Sequence, residues 1–474
     1  MDTFTLPTAA AATYPAAPTP LVVDRRLLNL LPAFGPRYTS YPTADRFTEA
    51  FPADAYESLL RTFDAPTTGV YVHVPFCRTV CYYCACNKVI TANYAKAERY
   101  LDAIKREIDR VASLLPRKVP ISDLHFGGGT PTYLKDEHLA DLVRTIRDAF
   151  GWSDDFVGAI EIHPQTVSPD RLAFLHGLGF TRISLGIQDF DEAVQEAVNR
   201  HQSVEETAAL MQKARELGMQ STNIDLIYGL PKQTPDGFAR TLETVTELRP
   251  DRIALYRYAH LPSRFKPQRQ IVDADLPTGS QSLDLMELAM ARLSAAGYQF
   301  IGMDHFALPD DELAVAQREG RLRRDFQGYT ARRPSDLISF GVSAIGKIGT
   351  CYVQNTRELP AYEEKVLGGT MAVTRGMRLD DDDARRADII ERLMCDFEFD
   401  IRRWERRFGR VFHDEFADEL NKLGKLVDLG LVVVEPTSIR ITASGRLMVR
   451  HVCQVFDAYL ASAVMSKAQY SRNH

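Results

Sequence analysis

"VYVHVPFCRTVCYYCAC", residues 70–86, joins two signals that are seldom adjacent: an apolar run at 70–74, and Cys77, Cys81, Cys84 and Cys86 directly after it. The run has the β-branched and aromatic character of a buried strand, so the cysteines ride on the loop at its carboxyl end. Similar runs recur at "DLHFG" (123–127), "GAIEI" (158–162), "RISLGI" (182–187), "NIDLIYG" (223–229) and "RIALYRY" (252–258). Between them lie stretches with apolar residues at helical spacing, such as residues 94–115 and 204–218, the latter ending on a glycine. Strands alternating with helices predict an α/β fold with a parallel sheet, here a partial (β/α)6-type barrel. Sites in such barrels sit at the carboxyl ends of the strands. The cysteines, "GGGTPT" (127–132), Glu161, Gln188, Asp225 and Ala259 should therefore meet at one mouth.

Working outward, residues 280–297 read as an amphipathic helix, followed by "YQFIGMDHFAL" (298–308) and the glycine-punctuated "FGVSAIGKIG" (340–349). The character changes after "LGGT" (367–370): residues 380–397 and 401–428 are charged and helical, 431–445 reads as two short strands about a turn, and a last helix follows. The expected division is a flexible tail at 1–34, a segment at 35–66 covering the site, a barrel domain at 67–368, and a mainly helical, winged-helix-like domain at 369–474. A winged helix raises DNA binding as an alternative. The net charge of −6 and the acidic run "LDDDDA" (379–384) oppose it, because electrostatic attraction normally underlies such affinity.

The chain has 474 residues, 45% of them hydrophobic, enough for a large core and more than one domain. Residues 1–23 have no basic n-region, and no run of about eighteen apolar residues occurs. A cytoplasmic protein with neither membrane nor nucleic-acid partner is expected. Seven cysteines, with Cys351, Cys395 and Cys453 scattered singly, do not form a disulfide pattern for a chain this long. The spacing of Cys77, Cys81 and Cys84 is C-x3-C-x2-C. Three soft thiolates can hold three corners of a [4Fe–4S] cube and leave the fourth iron open to a ligand. A structural zinc site, with Cys86 as fourth ligand, is the alternative. Such sites usually pair one CxxC knuckle with a second, which this chain lacks.

This loop, with Tyr83 before its third cysteine and "GGGTP" at the next strand end, resembles the radical S-adenosylmethionine (SAM) superfamily. The resemblance implies that SAM chelates the open iron and is cleaved to a 5′-deoxyadenosyl radical. The segments 35–47, 73–91, 124–134, 221–235, 258–262, 297–320 and 326–330 narrow the resemblance to the family of oxygen-independent coproporphyrinogen III oxidases. That family implies oxidative decarboxylation of two propionates of coproporphyrinogen III to vinyl groups, giving protoporphyrinogen IX in haem biosynthesis. It also implies a [4Fe–4S] cluster on Cys77, Cys81 and Cys84, two SAM molecules, an electron donor such as flavodoxin or ferredoxin, and, as expected here, a monomer. No side chain acts as the catalytic acid or base; the radical carries the chemistry. A haem chaperone built on the same barrel is the alternative. Such chaperones usually have an aromatic residue where Cys86 stands and lack the "RYTSYPT" segment.

By matching motifs, the resemblance assigns Tyr71, Tyr83, Gly128, Glu161 and Ile345 to the cluster-bound SAM. It assigns Gly129, Thr130, Gln188, Arg200, Asp225 and Ala259 to the second. Cys86 is not a ligand, and Phe326 and Gln327 fall in a family motif near the cluster. From the residues alone, Glu161 and Asp225 read equally well as helix caps and Arg200 as a helix-end cation. His163 stands where the family usually has aspartate. Four substrate carboxylates call for cations, for which Arg37, Arg257 and Arg264 are candidates.

Overall fold

The computed structural model describes residues 24–31, 35–332 and 336–460. All six expected strands form: β1 (Thr68–Val74), β2 (Ile121–Gly128), β3 (Trp152–Ile162), β4 (Phe180–Gln188), β5 (Ser221–Tyr228) and β6 (Arg252–Arg257). They lie side by side in chain order, each parallel to the next. The chain returns through α1 (Ala95–Leu114), α2 (Asp136–Phe150), α3 (Pro169–Gly177), α4 (Val204–Glu216) and α5 (Pro235–Leu248), with α6 (Gly279–Ala295) after the last strand. The sheet extends beyond these six. Leu337–Phe340 joins β1 in parallel, and Ile345–Ile348, Cys351–Asn355 and Val373–Arg378 follow antiparallel. On the far side His305–Ala307 pairs antiparallel with β6 and Gln299–Gly302 with it. The twelve-stranded sheet is an open arc, edged by Val373–Arg378 and Gln299–Gly302. The barrel sheet thus runs to Arg378, past the expected division at 368/369.

The period-2 alternation of strands sorts the side chains into two sets. One set, including Val70, Val72, Leu124, Phe126, Ile160, Ile183, Leu185, Ile224, Leu226, Ile253 and Leu255, is buried in the main core. The other, including Asp123, His125, Glu161, Arg182, Ser184, Asn223, Asp225, Arg252 and Tyr256, lines a cavity. Each fully buried Val, Leu, Ile or Phe stabilises by about 1.5–3 kcal/mol, so the apolar set holds the sheet and the polar set is left for ligands. In α1, Ala97, Leu101, Ile104, Ile108 and Val111 are buried at alternating spacings of four and three, one continuous stripe. At the amino ends of the strands Arg182 pairs with Glu312 (2.6 Å), Arg252 with Asp311 (2.9 Å) and Arg332 with Asp123 (2.7 Å). These ion pairs close the foot of the arc.

In the carboxyl-terminal part, Asp381–Asp396 is helical, as read. Residues 401–428 divide into Ile401–Phe408, Phe412–Glu415 and Ala417–Asp428. Gly409, at φ +65°, ends the first of these helices. The turn brings the rings of Phe412 and Phe416 to 5.3 and 5.5 Å from the buried Trp404. Val432–Glu435 and Ser438–Ile441 form the expected pair, and Glu398–Asp400 adds a third strand. Among the described residues the last helix is Val449–Val455.

The tail reading falls partly on residues 1–23 and 32–34, which lie outside the described residues. Within that tail Arg25–Leu30 is helical, and Arg25 pairs with Asp284 and Glu287 of α6 at 2.6 and 2.5 Å. Among the described residues no helix is long and apolar enough to cross a membrane.

Candidate active site

β1 delivers the cysteine loop to the mouth, and the loop doubles back on itself: the amide of Val89 donates to the Pro75 carbonyl (2.8 Å) and that of Thr91 to Cys77 (3.0 Å). A tight turn, with the Cys84 amide on the Cys81 carbonyl (3.2 Å), brings those two residues together. Two segments, residues 198–199 and Gln268, pin the turn from outside. Tyr82 donates to the Val198 carbonyl (2.9 Å), Asn199 donates to Val80 (2.7 Å), and Gln268 donates to both Tyr83 and Ala259 at 3.1 Å. Gln268 thus ties the loop to the end of β6. The sulfur of Cys77 lies 3.4 Å from the Thr130 hydroxyl, and an Arg200 guanidinium nitrogen lies 3.6 Å from the Cys81 sulfur.

All seven cysteines are free thiols. Cys351, Cys395 and Cys453 are buried, and Cys77, Cys81 and Cys84 are partly exposed. A hydrogen bond from the Cys86 thiol, opposed by burial and helped by the Lys88 ammonium, lowers Cys84 to about 6. Cys86 is correspondingly raised, while burial pushes Cys77 up to about 11. Among the described residues no three metal-binding side chains converge on one point. A cubane cluster takes each thiolate on a separate iron, so its ligands ring the group instead of meeting. Three thiols beside the cations of Arg200 and Lys88 suit such an electron-rich group.

The second strand end is built for close approach. A Cβ on Gly127 would lie 2.8 Å from the Glu161 carboxylate, one on Gly128 would lie 2.7 Å from the His73 ring, and one on Gly129 would lie 2.6 Å from the Pro75 carbonyl. Gly128 also has φ +119°. The amides of Gly129 and Thr130 donate to Val74 and Phe76 at 2.8 and 2.9 Å, locking this turn to the cysteine loop. Glu161 accepts from the Gly128 amide at 3.1 Å, with His125 at 3.4 Å. Burial favours its neutral acid, but the His125 hydrogen bond and charge together with the Gly128 amide outweigh that and hold its carboxyl below the usual value. Glu161 is not a helix cap; it faces the cavity.

Around the rest of the mouth, Gln188 ends β4 at φ +71°, a left-handed conformation rare for a side-chain-bearing residue. Arg200 donates to the Gly186 carbonyl, and its Nε is buried without a hydrogen bond. Asp225 accepts from Ser184 (3.1 Å) and Asn223 (2.7 Å), yet burial and then the nearby Glu161 charge push it up to about 6. His163 has a buried, unpartnered Nδ1, and burial with the Arg200 charge lowers it to about 3, so its imidazole is neutral. The Tyr71 hydroxyl lies 3.0 Å from His73. Ile345 opens the strand beside Leu337–Phe340, whose Ser339 is in register with Tyr71. The cysteine loop, glycine turn, Glu161, Gln188, Arg200, Asp225 and Ala259 are therefore assembled at one end of the arc.

The cavity below them has a volume of about 710 Å³. Phe326 and Gln327, on the turn of the hairpin Arg323–Asp325/Gly328–Thr330, line it, as do Thr39 of the amino-terminal segment and Ala384, Ala387 and Asp388 of the helix Asp381–Asp396. Phe326 packs on Phe47 and Tyr352 at 6.2 and 5.9 Å. Of the three candidate cations, Arg37 pairs with Asp304, whereas Arg264 is exposed, with its guanidinium 5.5 Å over the Phe265 ring. Neither Arg257 nor Arg264 lines the cavity. The sequence reading missed His73, His125, Gln268 and Arg324. The two histidines were visible as inward positions of strands; Gln268 and Arg324 sit in irregular or short segments with no periodic signal.

Residues 71–245 match the Radical SAM superfamily, and residues 379–448 match the HemN C-terminal domain. The arc and the three-cysteine loop at its first strand thus define a radical SAM enzyme with a [4Fe–4S] cluster and SAM as cofactors. Oxygen-independent coproporphyrinogen III oxidase of Escherichia coli K12 is 48% identical over 449 residues, 95% of this chain and 98% of the relative. The Pseudomonas aeruginosa protein of the same name is 46% identical over 453 residues, again 95% and 98%. The solved structure of coproporphyrinogen III oxidase (HemN) from Escherichia coli superposes with a TM-score of 0.89 at 46% identity, covering 93% of this chain and all of that one. The chain belongs to the oxygen-independent coproporphyrinogen III oxidase family.

Proposed function

We infer that the protein converts coproporphyrinogen III to protoporphyrinogen IX without oxygen, by oxidative decarboxylation of two propionate side chains. One observation carries this: in a chain of that family, three free thiols, a side-chain-free turn and two cavity-lining carboxylates surround the mouth of a cavity about 710 Å³ in volume. Held by Cys77, Cys81 and Cys84, the cluster together with SAM would supply a hydrogen-atom abstractor strong enough for an unactivated propionate β-C–H bond, which no side-chain acid or base provides.

The chain's own residues bind, orient and shield. Cys77, Cys81 and Cys84 hold the cluster, and Cys86 tunes Cys84 without ligating. Glu161, kept ionised by His125 and Gly128, receives the cationic amino group of the first SAM. Tyr71, Tyr83, Gly128 and Ile345 complete that subsite. Gly129, Thr130, Gln188, Arg200, Asp225 and Ala259 form the second, where Arg200 meets a carboxylate and Asp225 a ribose hydroxyl or amine. The neutral His163 near Arg200 brings no negative charge to compete with an anion for that guanidinium. Phe47, Phe326 and the helix Asp381–Asp396 exclude water from the radical. The outer face of the cysteine loop, with Arg78, Thr79, Ala85 and Cys86 exposed, supports approach of a small cytoplasmic donor of the flavodoxin or ferredoxin type.

The test is anaerobic incubation of the reconstituted protein with reductant, SAM and coproporphyrinogen III, followed by mass spectrometry. Two losses of carbon dioxide, abolished by Cys81→Ser, are expected. 5′-Deoxyadenosine released without decarboxylation would overturn the reading.

A further inference from the structure

Arg324 lines the cavity beside Tyr329 and His305, and Arg37 lies near it at the Tyr256 ring. Arg37, on the amino-terminal segment, lies 5.8 Å over the Tyr256 ring and pairs with Asp304. Arg450 is buried, and its guanidinium reaches the carbonyls of Gly35 and Pro36, which holds the segment carrying Arg37. Arg324 lies 4.5 Å over the Tyr329 ring on the hairpin that lines the cavity, with Nε and Nη1 buried and without a hydrogen bond among the described residues. His305 stands between the two rings, 6.1 Å from Tyr256 and 5.3 Å from Tyr329. Burial and then the charges of Arg324 and Arg37 keep it neutral. Asp325, the nearest carboxylate in sequence to Arg324, accepts from the Gln327 amide at 2.8 Å.

A buried guanidinium whose donors are unmatched is costly unless a ligand completes it. The cavity that Arg324 lines also holds Glu161 and Asp225, so carboxylates and an incompletely hydrogen-bonded guanidinium share one cavity. We propose that Arg324, reinforced by Arg37, is the anchor for a propionate carboxylate of the tetrapyrrole, holding the macrocycle while another propionate reaches the radical. Tyr329 fixes the plane of the guanidinium, and its hydroxyl is itself fixed by the Met394 carbonyl at 2.9 Å. The anchor rests on the function proposed above and names, for its substrate, a site other than Arg257 or Arg264.

The experiment compares wild type, Arg324→Gln and Arg324→Lys as reconstituted holoenzymes. Fluorescence quenching measures affinity for coproporphyrin III and for its tetramethyl ester, equilibrium dialysis measures SAM binding, and steady-state turnover separates KM from kcat. A lost charge-assisted hydrogen bond predicts roughly a tenfold or greater weakening of the free acid by Arg324→Gln. The ester and SAM should bind within about twofold of wild type, because neither presents a free carboxylate to this anchor. Arg324→Lys, which keeps the charge, recovers part of the loss and provides the comparison if Arg324→Gln folds poorly. Equal weakening of acid and ester, or unchanged binding of both, overturns the anchor. Wild-type turnover separates the two readings: a wild type that decarboxylates while Arg324→Gln binds normally leaves the function standing and removes the anchor. A wild type that binds the acid through Arg324 without decarboxylating it does the reverse.

Discussion

Cys84 and Cys86 are two residues apart, and the Cys86 thiol, opposed by burial and helped by the Lys88 ammonium, lowers the Cys84 thiol, which favours the thiolate that iron takes. Cys86 is exposed and lies outside the C-x3-C-x2-C set. Serine at position 77, 81 or 84 should therefore cost the visible iron–sulfur absorption and most of the iron after reconstitution, whereas Cys86→Ser should retain both. Iron analysis beside the spectrum checks this. Asp225 gives a pH prediction. Its folded value, about 6, is above its ordinary 3.8 because burial penalises the charged form. The resulting destabilisation is absent below the unfolded value, grows between the two, and is complete above about 6. Binding runs the other way: as pH falls through about 6 the carboxylate is lost. kcat/KM for SAM, which reports the free enzyme, should fall about tenfold per pH unit on that limb. Asp225→Asn should lower the plateau and remove the limb.

At the scale of elements, the six strands were legible because each is a short apolar run bounded by helical spacing, and parallel strands have little else to distinguish them. The same runs also held an inner, polar alternation, as in Asn223 and Asp225 within "NIDLIYG", which marks a lined cavity in place of a packed barrel core. The additions at both edges were not legible. Strands such as His305–Ala307 and Leu337–Phe340 are three or four residues long and owe their place to partners far away in the chain. The break of 401–428 into three helices follows from Gly409 and from the packing of Phe412 on Trp404, a tertiary preference that helical periodicity does not reveal. Gln268 belongs to this scale too, since it joins the cysteine loop to the end of β6. Gln268→Ala removes two donated hydrogen bonds, each worth about 0.5–1.5 kcal/mol net. Loss of iron to a chelator should accelerate roughly tenfold while the melting temperature moves little.

For the molecule as a whole, the segment from residue 35 to 48 is clasped by residues far along the chain. Arg450 in the helix Val449–Val455 reaches the carbonyls of Gly35 and Pro36, Tyr38 donates to Asp457 at 3.0 Å, and Thr48 bridges to Gly376 in the barrel sheet. Arg450→Met should release residues 35–47. Trypsin should then cut at Arg37 and Arg46, and 5′-deoxyadenosine formed per vinyl group should rise several-fold as water and reductant reach the radical. Full coupling with unchanged proteolysis would show that the clasp is not what holds this segment or shields the radical. The most direct test of the account is whether one iron is open to the cofactor. Electron–nuclear double resonance of the reduced cluster with SAM labelled by 15N at its amino group and 17O at its carboxylate should show hyperfine coupling from both labels, unchanged in Cys86→Ser. A reduced cluster that shows no coupling from either label, or one that requires Cys86 to assemble, would contradict it.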